Sequence, residues 1–86
     1  MQSAIADTRN APRRRVLKAG FITFAYSAAI NCTVRNLSDT GASLEVESAL
    51  GIPEMFVLII KSDAVKRSCR IVWTKERRIG VTFTDS

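Results

Sequence analysis

The chain has 86 residues, 47% of them hydrophobic, and 13 basic against 8 acidic side chains give it a net charge of +5. That length allows one domain, and the apolar fraction excludes a solvated polyelectrolyte. With no histidine, the commonest general base and metal ligand and every Ser-His or Cys-His nucleophile pair are excluded.

Residues 1–12 read as a flexible arm ending at Pro12, and 13–86 as the folded body. The first 18 residues hold Arg9, Arg13, Arg14, Arg15 and Lys18 against Asp7 alone, while the remainder is nearly neutral. A positive field concentrated in the leader attracts anions: nucleic acid, anionic lipid or a phosphate ligand. "MQSAIADTRN" has no apolar core of a secretory signal. No apolar run is long enough to span a bilayer. Cys32 and Cys69 each lie inside an apolar run, as cysteines packed as small hydrophobes do. The chain therefore reads as cytoplasmic, with reduced thiols and no membrane span.

From Val16 the pattern is strand-like. "VLKAGFITFAY" predicts a strand over about 16–25 with large side chains on both faces. "INCTVRN" alternates Ile30, Cys32 and Val34 against Asn31, Thr33 and Arg35. After "NLSDTG", "ASLEVES" alternates Ala42, Leu44 and Val46 against Ser43, Glu45 and Glu47. A period of two sends successive side chains to opposite faces of a half-buried strand. "LGIPEM" is a loop around Gly51 and Pro53. "MFVLIIK" is a short, continuously apolar strand, and "SDAVK" turns the chain. "RSCRIVWTKE" is a long strand with Cys69, Ile71 and Trp73 on one face, and "IGVTFT" follows with Ile79, Val81 and Phe83 together. Nothing has a helical period. Six short strands predict a small antiparallel β-barrel, which closes the sheet and removes its exposed edges.

Two segments carry chemistry. Arg9 and Arg13 are spaced R-x-x-x-R, with Arg14 and Arg15 directly after. Guanidinium forks match phosphate oxygens and stack on bases; the plainer reading is a solvated basic tail. In Asn36-Leu37-Ser38-Asp39-Thr40-Gly41, Asn36 and Ser38 donate and accept, and Gly41 permits close backbone approach. The plainer reading here is a turn whose side chains cap their own backbone. Trp73 reads as core or rim packing. Lys66, Arg67, Arg70, Lys75, Arg77 and Arg78 read as a solvated face, with extension of a phosphate-binding surface as the alternative. Asp39 and Glu45 form no acid/base pair, and neither a catalytic nor a metal site can be assembled.

Together these motifs resemble the PilZ domain, the bacterial receptor module for cyclic di-GMP. Its pattern is R-x-x-x-R before the first strand and [D/N]-x-S-x-x-G after the second, here Arg9 to Arg13 and Asn36 to Gly41. The ending "CRIVWTKERRIGVTF" is also similar, with Trp73, Gly80, Val81 and Phe83. The resemblance spans about residues 9–84. It implies that Arg9 and Arg13 bind phosphates and stack on guanine, with Arg14 or Arg15 as alternatives for the second arginine. It implies that Asn36, Ser38 and Gly41 contact the guanine edge and ligand backbone. It further implies a non-enzymatic receptor without cofactor, whose arginine arm orders on cyclic di-GMP and signals to an effector protein. Asn36 stands where aspartate is commoner. The sequence stops at Ser86, so no C-terminal helix is expected. Two alternatives stay open: a small barrel binding single-stranded nucleic acid through its arm and Phe21, Phe24, Tyr26 and Trp73, and a PilZ-like adaptor that binds no nucleotide.

Overall fold

A computed structural model describes residues 14–25 and 28–85. Six antiparallel strands form a closed barrel: β1 (Arg14–Phe24), β2 (Ala28–Leu37), β3 (Gly41–Val46), β4 (Met55–Ile60), β5 (Val65–Lys75) and β6 (Arg78–Phe83). Their order around the wall is β1-β2-β3-β6-β5-β4, and β4 closes on β1 through Phe21–Ile59, Ile22–Leu58 and Thr23–Val57. All six expected strands are present. The first starts two residues before the apolar pattern does, so Arg14 and Arg15 belong to the wall. Among the described residues the only helical piece is a 3-10 turn, Lys61–Asp63, and no helix is long and apolar enough to cross a membrane.

Alternation explains the core. Ile22, Val34, Leu44, Leu58, Ile60, Cys69 and Ile79 are fully buried inside, joined by Cys32, Val46, Phe56, Val81 and Phe83. Each large aliphatic side chain taken from water contributes about 1.5–3 kcal/mol, and these residues form one continuous core. The unbroken apolar run of β4 has a local cause. Its outward Val57 and Ile59 stand opposite Thr23 and Phe21 of β1, where the strands shield one another and leave all four half-buried.

Three bulges break the period of two. On β1, two residues, Val16 and Leu17, fall between partners of Asn36 and Val34 and face Arg35 alone. On β2, Arg35 is itself the extra residue between Val34–Leu44 and Asn36–Ser43. On β5, Val72 is extra between Ile71–Val81 and Trp73–Gly80. A bulge re-aims the side chains beyond it, and the third corrects the sequence reading. Trp73 is not on the face of Cys69 and Ile71. The slip at Val72 turns it outward, where it covers Gly80 and remains 43% exposed.

Candidate functional site

The turn after β2 is built from Ser38. Its N–H donates to the Gly41 carbonyl at 2.9 Å, and its Oγ accepts from the N–H groups of Thr40 and Gly41 at 3.2 Å each. The hydroxyl also lies 3.3 Å from the Gly41 carbonyl, to which it donates. This is the self-capping of a serine turn. Gly41 then opens β3 opposite Thr82, with its Cα against the Val81 carbonyl, where a Cβ has no room. Both residues thus have structural work in the turn.

The start of β1 lies beside this turn. Arg14 pairs with Leu37 and Arg15 with Asn36. Three depressions surround the junction. A cavity of about 360 Å³ at the barrel end is lined by Arg14, Lys18, Ser38, Asp39, Asp63 and Arg67, among others. A groove of about 130 Å³ lies between Ser38, Thr40, Gly41 and the Trp73 indole. An outer-wall depression of about 500 Å³ is lined by Arg15, Val16, Leu17, Arg35, Asn36 and Arg78. The structure therefore brings Arg14 to Ser38, Ser38 and Gly41 to one groove, and Asn36 to a different wall beside Arg15. Arg9 and Arg13 lie outside the described residues.

Charge distinguishes the two larger depressions. At the barrel end Lys18 and Arg67 have partners. Lys18 Nζ is 2.5 Å from Asp63, and Arg67 Nε is 2.9 Å from Asp85. The Lys18 hydrogen bond, helped by Ser62, lowers the Asp63 pKa; the Ser68 N–H, then Arg67, lowers that of Asp85. Around Asn36, by contrast, three guanidiniums gather, and the acid recorded with them is Glu45, 2.8 Å from Arg35. The bulges create this gathering: with Arg35 as the extra residue, both it and Asn36 reach the outer wall, and Val16 and Leu17 line it from β1.

Two members of the basic set read as a solvated face depart from that reading. Arg67 lies 4.2 Å over the Phe83 ring and is tied to Asp85, and Arg78 has a buried Nε. Arg15 is already a candidate in the sequence and alternation already turns Arg35 outward; what alternation alone misses is that Asn36 shares that wall with Arg35 and that Arg78 lines it too, because bulges leave no mark in a hydropathy pattern.

Other ionisable groups offer no reactive centre among the described residues. Burial pushes the Cys32 thiol up to about 11 and that of Cys69 to about 12, so both stay protonated and inert at neutral pH.

A search of curated proteins returns no match. The sequence model of the PilZ domain family matches residues 7–86, nearly the whole chain.

Proposed function

The chain belongs to the PilZ domain family, and from that premise we propose that it is a receptor for cyclic di-GMP that passes the signal to a partner protein. PilZ domains are binding and adaptor modules and not enzymes. The reading is supported by the register of β1 on β2. Arg14 and Arg15 pair with Leu37 and Asn36, so the first strand opens beside the turn that begins at Asn36, and Arg9 and Arg13 directly precede that strand in the sequence. Arginines from the leader and the polar edge of the turn then meet around one ligand.

The physics of the complex follows. Two phosphodiester charges require fixed positive groups, and charge-assisted bonds to arginine are the strongest the chain can make. Each contributes about 1.5–3 kcal/mol net, against about 1–2 kcal/mol for fixing each backbone unit of the leader. Several such bonds are needed before ordering is favourable. The ordering of residues 1–12 over the wall is the switch a partner protein reads, in the cytoplasm. Asn36 supplies a donor and an acceptor to the purine edge; Ser38 and Gly41 hold the backbone of the turn at the ligand.

The nucleic-acid reading has less support. Phe24 packs against the core and the Lys61 ammonium lies 5.6 Å over the half-buried Phe21, which leaves Trp73 as the exposed ring among the described residues. Calorimetric titration with cyclic di-GMP tests the proposal. The parent is expected to bind, and Arg9→Ala and Arg13→Ala to abolish or strongly weaken binding. A folded parent giving no binding heat at any temperature tried, together with an unchanged amide spectrum, would refute it.

A further inference from the structure

Arg78 is the residue the two motifs leave unexplained. It opens β6 opposite Glu45 of β3 and lines the outer-wall depression with Arg15, Arg35 and Asn36. Its Nε is buried and has no hydrogen-bond partner, the one such side-chain atom among the described residues. A guanidinium cannot relieve that by losing its proton. A buried charged donor without an acceptor is costly, and native structures rarely keep one without a use. The nearest acid by register, Glu45, is engaged by Arg35 at 2.8 Å. Three guanidiniums and one carboxylate leave an excess of positive charge in one open depression. A neutral base edge would not compensate it; an anion would.

We propose that Arg78 is a further ligand-binding residue: its side chain turns out of the position that buries Nε, and its planar Nε–Nη fork takes a phosphodiester group of the bound dinucleotide, with Arg15 on the same depression. The inference rests on the cyclic di-GMP reading above and adds to it a contact from the far end of the chain. Leader, turn and last strand then all grip the same ligand. Bidentate capture of phosphate demands the fork and not merely the charge, so lysine at this position keeps the charge and loses the geometry.

The test follows the arginine Nε–Hε resonances of the ¹⁵N-labelled parent during titration with cyclic di-GMP, the Arg78 signal being assigned by its loss in Arg78→Lys. Calorimetry then compares Arg78→Lys with the parent. Saturation is expected to shift the Arg78 signal, and the variant to bind about 10-fold or more weakly. Should the variant fail to fold, the Arg78 signal is assigned in the parent by through-bond connection of its side chain to its backbone, and the parent titration decides. A parent that saturates while the Arg78 signal stays still, or a folded Arg78→Lys that binds as the parent does, overturns this inference and leaves the receptor reading standing. A parent that binds no cyclic di-GMP overturns both.

Discussion

Gly41 lies against the backbone carbonyl of Val81, so close that a Cβ at position 41 would overlap the oxygen. The obstacle is main chain in the middle of a hydrogen-bonded wall and cannot swing aside. Gly41→Ala is therefore expected to destabilise the barrel by about 1–3 kcal/mol, the usual cost of overpacking. Urea unfolding followed by circular dichroism measures it, and a cost below about 0.5 kcal/mol would contradict the geometry. Loss of ligand binding in this variant would report a damaged turn, not a missing ligand contact.

Ser38 makes a complementary case. Its Oγ accepts two backbone N–H groups, those of Thr40 and Gly41. Ser38→Ala strips both of an acceptor at a partly exposed site, for a cost of about 1 kcal/mol. Hydrogen exchange at the Thr40 and Gly41 amides should quicken while exchange in β4 keeps its rate. Uniform quickening would mean that the whole barrel, and not the turn, depends on the hydroxyl.

These two residues show how far the sequence could be read. Alternation in "ASLEVE" placed Leu44 and Val46 inside and Glu45 outside, as found, because a half-buried strand has no other stable arrangement. The turn was legible for the same reason: serine followed by threonine and glycine caps itself. The outer-wall cluster was not. Arg35 and Asn36 share a wall through a bulge, and Trp73 leaves the core face through another. A bulge is one extra residue in a register, fixed by which strand lies alongside, and that is a tertiary fact. The unbroken apolar "MFVLII" was likewise explained only once β1 was seen beside it.

Gly80 offers a contrast to Gly41. A Cβ there would strike the Trp73 ring and not backbone. An indole on the outer wall can rotate away, so Gly80→Ala is expected to cost less than Gly41→Ala while moving the ring into water. Trp73 is the only tryptophan of the chain, which makes its emission a direct readout. A red shift with a stability loss under about 2 kcal/mol is expected. An unshifted spectrum would show that the ring does not rest on Gly80.

Stability should fall in alkali. Folding raises the Cys32 thiol to about 11 and the Cys69 thiol to about 12, above the ordinary thiol value of about 8.5. The folded chain then holds protons that the unfolded chain gives up. The associated stability is complete below about pH 8.5 and is lost as the pH climbs through 9 to 12. Urea midpoints between pH 7 and pH 11 measure the trend. A thiol reagent at pH 8 should label both cysteines only in denaturant, and rapid native labelling would show that the interior is open.

Glu45 supplies the last expectation, because it competes for the same arginines that surround Asn36. Its carboxylate lies 2.8 Å from Arg35 and its backbone is paired with that of Arg78. Both members of the ion pair are partly exposed, and such pairs contribute about 0–1 kcal/mol, so Glu45→Gln should leave the unfolding midpoint nearly unchanged. The effect on ligand is expected to be larger. Removing the carboxylate frees Arg35 and deepens the positive potential of the depression, so a dianionic dinucleotide should bind about 3- to 10-fold more tightly, a gain of roughly 0.7–1.4 kcal/mol. The gain should shrink as salt is raised, since the pocket is open to solvent and its field is screened over about 8–10 Å near physiological ionic strength. Weaker binding by Glu45→Gln would mean that the carboxylate holds Arg35 in its binding position instead of withholding it, and the sign of this one change in affinity separates the two roles.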